Sequence, residues 1–393
     1  MKLFERSLFL LLFFISLFSL SAYDYIEDPL VINSSRSKGM GGAHAADTHD
    51  MAILFANPGG FQAVDTEMAF AEITLGLKGP VFDIADVVVN SLNSDAGMED
   101  MIAQDSTLDL LSGIYAGLSL TGPIYFGYVG NGLGLGFFQN TDVIIKESAP
   151  LTLEATVRED IILCGGYTYR LPFPESWNQN LDLGLMLKGG VRGDISITAA
   201  YLELMSLDFG TDMLMQSPFD FIAGIGFDIG ALYSFRDIFS IGLTCLDIFT
   251  PTTKKSYTGL EAMIDGSSDP VETLNGVVPM TLNAGISFTP PLGLFDKYIS
   301  NLVFLVDYKD ILGFWFYDES YLNPWLHLSG GAEITLLDIF SLRCGLDKGL
   351  FSAGLSTDLT IFNMNIALFG SELGSEPGVN PIYNLMIGLE FRI

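Results

Sequence analysis

Residues 351–361 read FSAGLSTDLTI and alternate between two kinds of side chain. One face carries Phe351, Ala353, Leu355, Leu359 and Ile361. The other carries Ser352, Gly354, Ser356, Asp358 and Thr360. A period of two predicts a β-strand with two unlike faces. In water the apolar face would pack on a core, whereas in a barrel that spans lipid it would point outward. The pattern alone leaves both open.

The same alternation recurs along the chain from Glu67 onward. Segments of this kind, separated by turn residues, predict strands at 67–78, 115–129, 132–146, 151–171, 181–197, 218–235, 239–251, 277–290, 298–311, 325–337, 339–347, 350–361, 362–371 and 382–393. Fourteen is an even number, as in bacterial single-chain barrels. The longest connections fall at one end of the predicted barrel, as the outer loops of this class do.

Composition favours the membrane. The 393 residues are 49% hydrophobic and 17% charged, with 47 acidic against 18 basic side chains and a net charge of -29. Such a chain is too hydrophobic for disorder and too acidic for nucleic-acid binding. Beyond the N-terminus, no run reaches the roughly 18 apolar residues that a spanning helix needs. We therefore predict an all-β fold, a transmembrane antiparallel β-barrel of about 14 strands.

The N-terminus has the features of a secretory signal. Lys2 and Arg6 precede the apolar stretch 8–18, and small residues follow it. This arrangement predicts a signal peptide over residues 1–22. An N-terminal membrane anchor is the alternative.

One connection, residues 79–114, departs from strand character. Its apolar residues roughly follow helical spacing and include Met98, Met101, Ile102, Leu108 and Leu111. We predict two short amphipathic helices in the first extracellular loop. They would form either a lid on the barrel mouth or a landing site for an apolar ligand.

Residues 23–66 lack alternation and are rich in small residues. They contain RSKGMGGA at 36–43, DMA at 50–52 and NPG at 57–59. This series resembles the N-terminal signature of the FadL family of outer-membrane transporters, which carry long-chain fatty acids and other hydrophobic molecules. Gly59 departs from the family pattern, which has Ala after Asn-Pro.

The resemblance implies that residues 23–66 fold inside the barrel, residues 67–393, as a hatch or plug. The residues that carry this implication are Gly39, Met40, Gly41, Gly42, Asn57 and Pro58. It also implies capture of ligand by extracellular loops and exit through an opening in the wall near a kinked strand. A periplasmic turn is the alternative for these glycines.

A fatty-acid transporter needs a cation for the carboxylate. The inward-facing candidates are Lys188, Arg192 and Arg343, with Arg170 as a further one. Each could instead pair with a lumen acid such as Asp182.

The predicted partners are a long-chain fatty acid or other hydrophobic ligand and outer-membrane lipid, with the chain a monomer. We expect no enzyme activity, cofactor, metal or nucleic acid. His44, Asp47, His49 and Asp50 have spacing that is common in loops, and Cys164, Cys245 and Cys344 fit no zinc pattern. A PorV-like module for protein secretion and a general porin are the alternatives to transport of hydrophobic molecules.

Overall fold

The computed structural model describes residues 23–79, 115–149, 152–200, 211–236, 238–266, 268–295, 297–313, 322–359 and 361–392. The predicted signal peptide and residues 80–114 of the predicted helical loop lie outside these ranges. So do the candidate ligand-contact residues Met98, Met101, Ile102, Leu108 and Leu111.

Strands dominate the described chain. In chain order they are β1 Tyr25–Ile26, β2 Glu67–Lys78, β3 Tyr115–Gly130, β4 Leu133–Ala149, β5 Thr152–Arg170, β6 Gln179–Ala200, β7 Phe219–Phe235, β8 Phe239–Leu246, β9 Thr250–Tyr257, β10 Glu272–Val278, β11 Thr281–Phe288, β12 Ile299–Tyr308, β13 Leu328–Leu336, β14 Phe340–Asp347, β15 Leu350–Asp358, β16 Phe362–Glu372 and β17 Pro381–Arg392.

The described helices are short. They are α1 Ser35–Gly39, α2 Ile53–Ala56, α3 Thr211–Gln216 and α4 Leu260–Ile264, with 3₁₀ turns at Pro58–Gly60, Glu175–Trp177, Gly293–Phe295 and Pro324–His327. Within the described ranges, none has the length and apolar content to cross a membrane.

Strands β2 to β17 form one closed antiparallel barrel. Consecutive strands pair with each other, except β8 with β9 and β10 with β11, and β17 pairs with β2 to close the ring. Strand β7 pairs with both β8 and β9, so these two are halves of a single barrel strand. Strands β10 and β11 likewise pair with β9 and β8 and are halves of the next. The barrel therefore has fourteen strands, which confirms the predicted number.

The sequence predicted continuous strands at 239–251 and 277–290, and the structure corrects both. Residues 247–249 separate β8 from β9, and residues 279–280 separate β10 from β11. Pro279 has no N–H to donate to a ladder, which accounts for the second break. Strands β9 and β10 extend instead into 252–276, which the sequence assigned to a loop.

Strand β6 shows how the two faces of the wall differ. Leu183, Leu185 and Leu187 are 45%, 54% and 55% exposed on the outside, whereas Asp182 and Met186 are fully buried inside. A water-soluble barrel would place these leucines in its core. An apolar exterior around a partly polar lumen is instead the arrangement of a barrel that spans lipid.

The wall has a bulge in β3. Thr121 pairs with Asn140 and Tyr125 with Phe138, so residues 122–124 of β3 face one residue of β4. On the other side, pairing with β2 stops between Ala69 and Thr74. Strand β3 thus leaves the sheet locally on both edges, which bends it.

The lipid-facing surface generates a stability prediction. Replacing Leu187 by Arg places a charge on the outer face of β6 and should lower the free energy of unfolding from a bilayer by about 2–4 kcal/mol. The control is Leu294→Arg in the turn before β12, where Leu294 is 96% exposed and the cost should be about 0–1 kcal/mol. Equal costs in urea titration would contradict a lipid-facing β6.

Candidate functional site

Residues 23–66, here called the N-terminal segment, lie in the lumen. Their first anchor follows α1, which Ser34 caps by accepting a hydrogen bond from the Ser37 N–H. Gly41 and Gly42 then adopt φ of +68° and +70°, a left-handed conformation that favours glycine. A Cβ on Gly41 would lie 2.7 Å from the Gly330 carbonyl oxygen, so only glycine lets the segment approach the wall so closely.

Asn57, Pro58 and Gly59 form the second anchor. The Asn57 amide donates to the Ala45 carbonyl at 2.7 Å and to the Ala231 carbonyl of β7 at 3.2 Å. Its own oxygen accepts from the Gly59 N–H at 2.9 Å. One side chain thereby fixes the turn, ties it to the segment and ties it to the wall.

The two anchors contact opposite sides of the barrel. The first packs on β13, β14 and β15, and the second packs on β5, β6 and β7. Met40 next to the first anchor is fully buried, and so are Leu54 and Phe61 on either side of the second anchor in the sequence. The predicted residues Gly39, Met40, Gly41, Gly42, Asn57 and Pro58 all touch or face the wall.

A buried ion network holds the first anchor. Arg36 pairs with Asp47 of the same segment and with Glu333 of β13, whose Oε2 lies 2.9 Å from Arg36 Nε. Arg343 of β14 shares Glu333. Burial alone would raise the pKa of Asp47, but Arg36 and His49 outweigh it and hold that pKa below its usual range. The charges therefore remain paired at neutral pH.

A second contact between segment and wall uses an acid that the sequence did not single out. Asp307 of β12 is buried, and its Oδ2 accepts from the backbone N–H groups of His44 and Ala45 at 2.6 and 2.8 Å. The sequence does not indicate that Asp307 contacts His44 and Ala45, because they are more than 260 residues apart. It indicates only that Asp307 lies on a predicted strand.

Two of the predicted carboxylate-binding cations already have carboxylates of their own. Lys188 Nζ lies 2.9 Å from Asp247 and 3.1 Å from Asp228. Arg192 lies 2.7 Å from Asp160 and 2.6 Å from Glu27. The cavity beside them has a volume of about 20 Å³, which is space for about one water molecule.

The other two candidates are also paired. Arg343 contacts Glu333 and donates to Ser356 and Asn365 at 2.9 and 3.0 Å. Arg170 lies 2.7 Å from Asp182. All four cations therefore pair with lumen acids, which is the alternative that the sequence left open. Their part in ligand binding stays a prediction.

The lumen has an apolar side. Phe55 of α2, Tyr125 of β3 and Phe138 of β4 pack edge to face, with ring centroids 5.3 Å apart for Phe55–Phe138 and 4.8 Å for Tyr125–Phe138. Ile162, Met186 and Phe61 continue this cluster. Tyr125 directly follows the bulged residues 122–124, so the apolar interior reaches the wall where its pairing is interrupted.

A polar cavity borders this cluster, since Phe55 and Tyr125 also line it. This cavity of about 420 Å³ lies between the segment and the last strands of the barrel. Its lining includes Arg36, Glu333, Arg343, Glu390 and Arg392. Within the described ranges, no cluster of three or more His, Cys, Asp or Glu has the geometry to hold a metal ion. The three cysteines are free thiols.

The architecture is similar to that of solved hydrocarbon channels. The CymD monoaromatic hydrocarbon channel is 13% identical over 93% of this chain and 98% of its own, with a TM-score of 0.46. The Pseudomonas putida toluene transporter TodX is 10% identical over 94% and 99%, with a TM-score of 0.40. A Pseudomonas aeruginosa FadL homologue is 10% identical over 92% and 98%, with a TM-score of 0.30.

No family model and no curated protein matches the chain. The three structures named above are of the FadL and TodX type that the N-terminal signature resembles.

Close contact between segment and wall gives a second prediction. A Cβ at Gly184 of β6 would overlap the Pro58 carbonyl, so Gly184→Ala should push the second anchor off the wall. We expect faster chymotryptic cleavage at Phe55 and Phe61, which flank the second anchor, and a loss of about 1–3 kcal/mol in unfolding free energy.

Gly189→Ala, on the same strand, is the matched control. Its Cβ would meet nothing closer than 3.5 Å, so cleavage and stability should stay at wild-type values. Identical behaviour of the two variants would refute the glycine-mediated fit.

Proposed function

We propose that the chain is an outer-membrane transporter that moves hydrophobic molecules, such as long-chain fatty acids, inward by passive diffusion. Residues 1–22 are its signal peptide, residues 23–66 its plug and residues 67–393 its barrel. The observation that supports this best is an apolar lumen side that leads to an interruption in a lipid-facing wall.

The plug explains why such a barrel need not leak. A wide barrel with an empty lumen would be an aqueous channel. Here the lumen holds irregular backbone, which is tolerated at membrane depth because the wall shields it from lipid. The Arg36–Glu333 ion pair and the Asp307 contacts tie this backbone to the wall. Polar solutes would have to displace them to pass.

The apolar route suits a ligand that avoids water. Phe55, Tyr125 and Phe138 offer apolar surface from the plug to β3, and Pro123 and Ile124 of the bulge are exposed to the outside. A hydrophobic molecule could follow this apolar surface from the lumen to the bilayer. We therefore assign the lateral exit to residues 122–124.

One observation favours the general-porin alternative, namely the polar cavity of about 420 Å³. Single-channel recording separates the two functions. A hydrophobic transporter should show little steady current as the intact chain, because the plug blocks ions. Large steady currents would favour the porin. A stable protein partner recovered from intact outer membranes would favour the secretion module.

Uptake tests the transport itself. A bacterial strain that lacks its own outer-membrane uptake of long-chain fatty acids should grow on oleate when it expresses this chain. Wild-type surface expression without growth would count against the fatty-acid assignment.

The lateral exit gives a further prediction. Deleting Pro123 and Ile124 removes the two residues by which β3 exceeds β4, so pairing between β3 and β4 should become continuous. Uptake should then fall several-fold, because the gap is closed. Heat-modifiable migration on gels checks that the barrel folds. Uptake that persists in a folded variant would move the exit elsewhere.

A further inference from the structure

Lys38 of α1 differs from the other cations inside the barrel. Arg36, Lys188, Arg192 and Arg343 each form at least one ion pair with a carboxylate. Within the described ranges, no carboxylate lies within ion-pair distance of Lys38. An ammonium that is partly withdrawn from water without a carboxylate partner is costly, so its presence calls for an explanation.

The surroundings of Lys38 are half apolar. Its Nζ lies 5.5 Å from the centroid of the Phe369 ring on β16, and Lys38 itself is half-buried. Phe369 forms a small apolar cluster with Ala367 and Met386. A charged group thus lies next to an apolar surface. An amphiphile needs both at its binding site, one for its headgroup and the other for the adjoining methylene groups.

Several lysines are grouped at this end of the barrel. Lys78, Lys309 and Lys348, near the strand ends opposite the C-terminus, all act electrostatically on Lys38. Lys78 has Asp142 as its partner and Lys309 has Asp347, at 2.5 and 3.4 Å. Only 18 basic residues occur in the whole chain. Of the four near this point, Lys38 and Lys348 form no ion pair within the described ranges, so their charge is left to attract an anion.

Protonation supports the same interpretation. Burial lowers the pKa of Lys38 to about 8; Asp347 opposes the shift, and Lys309, Lys348 and Lys78 add to it. A bound anion would reverse this shift, because an opposite charge nearby stabilises the ammonium.

We propose that Lys38 binds the carboxylate of an amphiphilic ligand at the outer side of the plug, with Phe369 covering the adjoining methylene groups. The inference rests on the proposed transport of hydrophobic molecules and names the headgroup that the transporter recognises. It differs from the sequence prediction, which assigned the carboxylate to cations that have acids of their own.

The test is equilibrium dialysis of the full chain in mild detergent with radiolabelled dodecanoate or dodecan-1-ol. The two probes share a chain and differ in headgroup charge. Lys38→Met should weaken dodecanoate binding by about tenfold or more, because a charge-assisted bond is lost. Dodecan-1-ol binding should not change. Lys38→Arg should retain dodecanoate, and Lys255→Met, at an exposed lysine of β9, should behave as wild type.

The outcomes separate the two proposals. Undiminished dodecanoate binding by Lys38→Met would overturn the headgroup site and leave transport intact. An equal loss of both probes would also overturn it, since charge would then play no part. A wild-type chain that binds neither probe would reject the proposed function, and the headgroup site with it.

Discussion

The rest of the structure depends on the closed hydrogen-bond ladder between β17 and β2. In lipid an unpaired backbone group has no water to bond with, so a sheet that spans a membrane must close on itself. Closure at fourteen strands leaves a lumen that side chains alone do not fill. The segment before β2 lies in that space, and its many glycines let it contact the wall through its backbone.

Charge pairing then sets what the lumen can bind. Arginines and lysines brought into the interior carry a large desolvation cost, and the wall offsets it with carboxylates placed within hydrogen-bonding distance. Once a cation is paired in this way, little of its charge is left for a ligand. Half-buried Lys38, which has no such partner, is therefore a better candidate for binding a ligand anion than the well-paired arginines.

The sequence predicts the barrel well because alternation is local: each strand shows its two faces within a few residues. The same holds for the Gly39–Gly42 and Asn57–Pro58 motifs, whose turn chemistry is readable in the chain. Long-range partners are not readable. The residues around Lys188 do not predict its ion pair with Asp247, and those around Arg36 do not predict its ion pair with Glu333. The bulge in β3 depends on register with both neighbours, which one strand does not specify.

The glycine contacts of the N-terminal segment have a consequence for sequence divergence. At Gly41 and Gly59 the segment meets the wall through main-chain atoms, which all residues share. The fit then depends on where glycines stand along the strands and little on the identity of other side chains. Homologous chains could exchange most of their lumen residues and keep the same interlocking surfaces, provided that the spacing between these glycines is preserved.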